Sequence, residues 1–599
     1  MASFPVSPGV EFREFDSSSV IASPLATAGS IAGKFPWGPV GKRIRVSDEN
    51  DLVAKFGKPS DSAYLDFLLA ASFLAYSSAL DVVRIGSKTT VQNAVDSGSA
   101  VSILNIDDYE VAAPTTCKFF ARYPGDLGNS LQVVTCGTAT QFSTSLPGAF
   151  GFSVSNVVTY TPNGAETLAG YFSVGDYLVV DGTKYTVAAV GTTLTLAQVY
   201  TGSTSPSSVK REWQYAYLFG SAPVTNEFHF AVIDFDGKVS GNAGFVLESA
   251  TMSTVTTAKN ADGSPRYYVE ALKQNSSYIL AGTVALTFSG NNATSTVLTG
   301  GNSAFSTLGL ADYVNGYDQF KNNEEVYAPL IIGGDAMGSG AVLAKYLVQN
   351  IGTVRKDTMV FLSPQYSSVS AKGREVGNVI SDRNLIGTAA YGTMDSNWKY
   401  TFDRYNNKFR WIPCCADHAG LYATTNDSWD SAAGLDASIK GAIKLAWNPT
   451  KNDRDQLYPS DVNPIYSKPG FGPILFGHKT LLGKESPLNR VPNRRILSEL
   501  EQLITQSAQA MLFKVNNEAT QRRFYSIVDP YLRDIKGQGG LIDYVVIADA
   551  TVNTPTIVSQ NKFVAKIYVK LNGFAEFILL DFTAVGANTD FTEVIVSNV

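Results

Sequence analysis

The chain has 599 residues, of which 44% are hydrophobic and 17% charged, and a formal net charge of −6. That length implies several domains, and the low charge, against about 25% in an average soluble protein, suits a molecule that buries much of its surface against neighbours. The acidic balance excludes a bulk electrostatic affinity for nucleic acid.

Residues 1–20 read as an arm. They lack the basic and apolar regions of a secretory signal. Val10, Phe12 and Phe15 belong to an alternating stretch, residues 10–15, with no hairpin partner nearby. Such an orphan strand must pair with a distant part of the chain or with another molecule. Residues 21–86 form an α/β unit, with strands at 28–32, 43–46 and 81–85. A short helix follows Ser47-Asp48-Glu49 and ends at Gly57; a longer one, 62–77, is apolar on most sides and therefore buried. The richest apolar run, 63–75, is interrupted by Asp66, and no run is long enough to span a bilayer.

From 87 to 322 the composition shifts to Gly, Ser, Thr and Val. Residues 87–213 read as an inserted β-rich domain, with strands at 132–136, 151–159, 177–180 and 184–190. Asp181-Gly182 supplies a hairpin turn between the last two. Residues 214–322 read as a second, mixed insertion. The α/β pattern then resumes with a strand at 325–333, a helix at 338–350 and a strand at 358–363, so that 21–86 and 323–425 make one middle domain.

Residues 426–585 form the C-terminal core. Residues 494–514 contain no Pro or Gly and place Ile496, Leu500, Leu503 and Met511 on one helical face. A second helix, 516–533, is kinked or interrupted by Pro530. A strand at 541–548 follows. Residues 562–571 and 574–583 then read as a hairpin around Asn572-Gly573. The last residues, 586–599, form a second arm, in which Phe591, Val594 and Val596 alternate after a Gly-Ala-Asn hinge.

The candidate chemical motifs fail. Residues 472–480 resemble a P-loop, but His478 separates Gly477 from Lys479, so the ammonium and the helix N-terminus cannot meet one phosphate. Cys414, Cys415 and His418 lack a fourth zinc ligand nearby. Cys117 and Cys136 do not turn the four cysteines into a disulfide framework, which suits folding in a reducing cytosol. Asp234-Phe235-Asp236-Gly237 reads as a turn and lacks the distal ligands of a calcium loop. No G-x-S-x-G elbow is present. One charge pattern stands out: residues 490–540 carry eight basic and five acidic side chains in an acidic chain, a block suited to an acidic partner.

Arg410-Trp411-Ile412-Pro413 followed by Ala419-Gly420-Leu421-Tyr422-Ala423 resembles a segment of the contractile phage tail sheath proteins. Asn463-Pro464-Ile465, the Leu475-to-Leu481 run with Phe476-Gly477-His478-Lys479-Thr480, and Arg490-Val491-Pro492-Asn493-Arg494-Arg495 resemble further motifs of that family, in the same order. So do Ser7-Pro8-Gly9-Val10 and Phe35-Pro36-Trp37-Gly38-Pro39. The resemblance covers both ends and about half the chain, is to the large T4-type sheaths in particular, and leaves residues 87–322 without a matching motif.

The resemblance implies an α+β multidomain fold: an α/β sheath core built from N- and C-terminal parts, with β-rich inserted outer domains and extended terminal arms. It implies a structural subunit, with no catalytic activity, cofactor or metal, that polymerises helically around a tail tube and contracts to drive the tube through the host envelope. The arms, through Val10, Phe12, Phe15, Phe591, Val594 and Val596, would add strands to neighbouring subunits. Arg494, Arg495, Arg522 and Arg523 would face the tube. Partners would be further copies of the chain, the tail tube, and baseplate and tail terminator proteins, without nucleic acid or direct membrane insertion. The site would be the virion tail, assembled in the bacterial host cytoplasm. A tail-derived injection device, such as a tailocin, fits the same residues. A hydrolase with a β-rich binding module would need a nucleophile–base pair that the sequence does not show.

Overall fold

The computed structural model describes residues 27–578. They fall into two compact units, one up to Gly483 and one from Lys484 onward.

The first unit is organised on a six-stranded sheet. The chain enters it as β1 (Gly29–Gly33), runs out to the edge as β2 (Arg43–Val46) and returns through α1 (Glu49–Phe56) and α2 (Tyr64–Leu74) to β3 (Leu80–Arg84) beside β1. Asp48 caps α1 by accepting the Asp51 N–H at 2.8 Å. Helix α2 is apolar nearly all round because it is covered on more than one side: Phe67, Leu69, Ala70 and Phe73 are fully buried.

Two β-domains follow. In the first, β4 (Tyr177–Val180) and β5 (Thr183–Val190) pair antiparallel within a seven-stranded sheet whose inner face is Leu178, Val180, Val187 and Leu194. Asp181 and Gly182 both take positive φ, as the turn there requires. Residues 151–159 are not one strand: strands at Ala149–Gly151 and Val157–Thr161 flank a loop. The other β-domain is a four-stranded antiparallel sheet centred on Leu131–Cys136 and Glu227–Asp234.

The chain returns as α3 (Leu310–Asp318) and β6 (Leu330–Ile332), which lies parallel to β1 on the side opposite β3. Next come β7 (Met359–Leu362) and β8 (Gly392–Met394), completing the order β8-β7-β6-β1-β3-β2, parallel except for the edge strand β2. The helix predicted at 338–350 is broken up. Gly340 and Ala341 take left-handed φ, so regular α-helix covers only Val342–Tyr346 and continues as a wider π turn. Beyond the sheet, β9 (Trp398–Asp403) and β10 (Lys408–Pro413) form a hairpin that leads into the buried helix α4 (Cys415–Ala423).

The C-terminal unit contains α5 (Val491–Gln509), α6 (Glu518–Gly537), β11 (Leu541–Ile547) and β12 (Lys566–Leu571). Ile496, Leu500 and Leu503 of α5, with Phe524, Val528, Leu532 and Ile535 of α6, are buried at helical spacing. Pro530 does not stop α6, which continues to Gly537. It lies on the exposed side of the helix, while the apolar stripe on the other side continues past it to Leu532 and Ile535.

The hairpin predicted at Asn572-Gly573 does not form among the described residues. Instead β12 pairs antiparallel with β11, from Leu541↔Leu571 to Ile547↔Lys566. Asn572 is occupied otherwise: its side chain donates to the Gly539 carbonyl, and its carbonyl accepts from Asn493 Nδ2 at 3.1 Å. Residues 579–583 of the expected partner strand lie outside the described residues, as do both arm strands, 10–15 and 591–596.

Candidate inter-subunit surface

The chemical candidates of the first unit are built into its core. Lys479 is buried; its ammonium lies 4.5 Å over the Tyr458 ring, its amide donates to Asn463 Oδ1 at 2.6 Å, and residues Gly472–Leu475 form a strand, so no phosphate cradle exists there. His229 bonds Thr251 Oγ1 at 2.9 Å and the Ser221 carbonyl at 2.8 Å. His478 stands 2.6 Å from Ser431 Oγ, which also accepts the Ala433 N–H. His418 is enclosed by Phe361 and Tyr422, and burial depresses its pKa to about 3, so it is a neutral packing group. Among the described residues no group of three or more His, Cys, Asp or Glu could hold a metal ion.

The same core contains a polar network that joins sheet, hairpin and helix. Lys399 of β9 donates to Asp417 of α4 at 2.8 Å, with 3% and 0% of the two side chains exposed, and Tyr76 donates to the same carboxylate oxygen at 3.1 Å. Asp395 accepts from the Asn397 amide at 2.9 Å and from Ser363 Oγ at 2.6 Å. Burial, helped by the charge of Asp417, pushes the Asp395 carboxyl up to about 8. The folded protein therefore holds this proton more tightly than the unfolded chain. The resulting stability is full below the ordinary value of 3.8 and is lost as pH rises towards about 8. Asp395→Asn keeps both hydrogen bonds and removes the titration. Thermal melts at about pH 5 and about pH 8.5 are expected to show the variant gaining by a few kcal/mol at the higher pH relative to the lower. The same pH slope in both proteins would contradict this.

The surface that is not self-contained belongs to the C-terminal unit. A two-stranded sheet is marginal by itself, and β11–β12 has no further strand on either edge among the described residues. Its outer face is mixed: Val545 and Tyr568 stand opposite each other, 51% and 57% exposed, between the exposed Asp543, Lys566 and Lys570. The loop between α5 and α6 also presents Leu512, Phe513 and Val515 to solvent, with Phe513 held at a φ of 63°. A bulky residue in that backbone region is strained.

The four arginines singled out in the sequence are not one patch. Arg494 is buried, bonded to Glu501 at 3.2 Å and to Ser498, and Arg495 is half-buried. Arg522 and Arg523 are exposed in the first turns of α6, where Arg522 pairs with Glu518 four residues before it. Sequence reading missed the exposed face of β11–β12, although the alternation of Lys566–Leu571 marks it: its odd positions only pack once a partner strand is assigned.

The first unit is an α/β framework with inserted β-domains; the C-terminal unit is helical, with a sheet that is two-stranded among the described residues. Residues 484–584 match the family model described as the phage tail sheath C-terminal domain. Along nearly its whole length the chain is similar to curated tail sheath proteins: 28% identical to that of Vibrio phage KVP40, over 98% of this chain and 99% of the relative, and 27% identical to that of Enterobacteria phage T4, again over 98% and 99%. A sheath tail protein from Listeria innocua shares the fold, with a TM-score of 0.50 at 11% identity over 93% of this chain and 97% of that one. The chain is thus similar to phage tail sheath proteins along nearly its whole length, as its motifs implied, and has an α+β multidomain fold.

Proposed function

We propose that the chain polymerises helically around a tail tube and that its C-terminal unit is the junction between neighbours. What supports this is the sheet β11–β12, two-stranded among the described residues and with Val545 and Tyr568 exposed on one face, in the part of the chain that matches the sheath domain. The arm strands 10–15 and 591–596 of adjacent subunits supply the missing strands, so that main-chain hydrogen bonds link copies. Because donor and acceptor surfaces differ, repetition produces an open helical lattice. Contraction is a rigid-body rearrangement of packed units around these links, driven by the energy difference between two lattices and requiring no nucleotide.

Arg522 and Arg523, exposed on α6, are the arginines that would meet the tube; Arg494, bonded to Glu501 and Ser498, serves the packing of α5. Baseplate and tail terminator proteins complete the partners, and the particle assembles in the host cytoplasm. The two inserted β-domains, between residues 87 and 322, face outward from a middle domain of 21–86 and 323–425; the pairing of Leu131–Cys136 with Glu227–Asp234 joins residues on both sides of the expected 213/214 boundary in one of them.

The test uses the exposed pair. Val545→Asp and Tyr568→Asp change solvated side chains, so the unassembled chain keeps its stability within about 0.5 kcal/mol. In the polymer each would bury an unpaired charge, and the concentration needed for assembly, read by sedimentation, is expected to rise at least about tenfold for a cost above about 1.4 kcal/mol. Unchanged assembly by both variants would overturn the reading.

A further inference from the structure

The hairpin β9–β10 has one buried face and one open face. Lys399, Asp403 and Ile412 point into the framework and are buried. On the other face Tyr400 stands opposite Trp411 and Phe402 opposite Phe409, with the two phenylalanines 45% and 52% exposed. The rings form a row. Tyr366, at the start of the helix Tyr366–Ser370, lies 5.7 Å from Trp411, and Trp411 lies 4.7 Å from Tyr400. Phe409 follows 5.4 Å from Tyr400, and Phe402 5.0 Å from Phe409. The function proposed above makes no use of this face.

Cross-strand aromatic pairs steady a hairpin by themselves, and that role accounts for the stacking. It does not account for the polar edge of the row. The hydroxyls of Tyr366 and Tyr400 and the Nε1–H of Trp411 have no hydrogen-bond partner among the described residues. Lys444, on the short strand that pairs with β9, holds its ammonium 4.9 Å over the Tyr400 ring and 5.6 Å over that of Trp411. It has no ion-pair partner among the described residues. The face therefore offers gaps between aromatic rings, three donors and a positive charge.

A ligand for such a face has free backbone carbonyls and compact apolar rings. Polyproline II segments have both: they make no internal hydrogen bonds, and Pro-x-x-Pro stretches dock on aromatic-lined grooves. The N-terminal arm contains one, Pro5-Val6-Ser7-Pro8. Each proline sets its own φ at about −65°. Three residues per turn at about 3.1 Å each put both proline rings on one side, about 9 Å apart, which matches two ring-to-ring steps of the row. The chain's other Pro-x-x-Pro, Pro36–Pro39, is part of the framework, and Trp37 between its prolines is buried. Charge agrees as well: after Pro8 the arm carries Glu11, Glu14 and Asp16 against Arg13, and Lys444 supplies a cation for them. Aromatic stacking beside a lysine also suits single-stranded nucleic acid, which a net charge of −6 disfavours.

We propose that the open face of β9–β10 is a docking site for Pro5–Pro8 in the N-terminal arm of another copy of the chain. The prolines fill the gaps between Trp411, Tyr400 and Phe409, the three free donors meet carbonyls of the segment, and Lys444 meets an acid of the stretch 11–16. The proposal rests on the exchange of arms put forward above. It gives the exchanged arm a second foothold, one that reads side chains, beside the strand addition that main-chain bonds hold.

The experiment titrates a peptide of residues 2–16 into the full, unassembled chain and follows tryptophan emission. The peptide contains neither Trp nor Tyr, so the signal belongs to the chain. A saturable change with a blue shift is expected as Trp411 is covered. A peptide with Pro5→Ala and Pro8→Ala is expected to bind at least about tenfold more weakly, and so is the wild-type peptide on the Phe409→Ser chain. The circular dichroism spectrum of that variant is expected to be unchanged, because the ring is half exposed. Absence of a saturable change at millimolar peptide would overturn the proposal, as would an alanine-peptide curve that superimposes on the wild type. Saturation by oligodeoxythymidine and not by the peptide would assign the face to nucleic acid and overturn it likewise. None of these titrations needs a polymer. Loss of assembly on removing residues 1–19, together with a peptide that does not bind, would overturn this docking and leave the strand addition standing.

Discussion

Removing residues 1–19 or 587–599 is expected to leave a folded chain that no longer polymerises. Both segments lie outside the described residues, 27–578, which carry the strands, helices and buried side chains described above. What each removes is an alternating strand, around Val10, Phe12 and Phe15 or around Phe591, Val594 and Val596, and with it the addition to a neighbour's β11–β12. A strand of five or six residues adds about four ladder hydrogen bonds at about 1 kcal/mol each. Losing about 4 kcal/mol per junction lowers association about a thousandfold, enough to abolish assembly at ordinary concentrations. Circular dichroism and thermal melting establish that the fold persists, and sedimentation reads the polymer. Normal tubes from either deletion would sink the arm mechanism.

Breaking the Lys399–Asp417 pair is expected to give the largest loss of stability from a single substitution. Asp417→Ala leaves an ammonium that is 3% exposed without its carboxylate, retaining only the Lys440 carbonyl at 2.9 Å, and frees the hydroxyl of Tyr76 from one acceptor. Loss of one partner from a buried pair costs about 3–5 kcal/mol. Replacing both, as Lys399→Met with Asp417→Leu, removes the desolvation penalty along with the attraction and is expected to fall within about 1 kcal/mol of the wild type or above it. The denaturation midpoints of both variants separate the two terms. A loss below about 1 kcal/mol for Asp417→Ala would show that water reaches the pair.

Local signals in the sequence were strong where a residue's neighbours along the chain decide its conformation. Helix α2 shows itself by being apolar on every side, α5 and α6 by one apolar stripe, and the Asp181-Gly182 turn by two residues that tolerate positive φ. The motifs around Trp411 and Asn493 carried the family because they lie in the framework and at the entry to α5, where sequence and packing are tied together.

Failures came where long-range pairing overrode a local rule. Asn572-Gly573 suits a tight turn, yet among the described residues β12 pairs with β11 and Asn572 ties Gly539 and Asn493. The pairing of β1 with β6 is invisible in sequence because the two strands flank the inserted domains. Counting charges along 490–540 grouped Arg494 with Arg522, although one is buried and the other solvated.

The central claim, that this chain is a self-assembling sheath subunit, is tested most directly by electron microscopy of the purified chain mixed with preformed tail tubes. The account predicts tubes enclosed along their length by a helical lattice of the chain. Bare tubes beside a chain that stays monomeric at high concentration would contradict it.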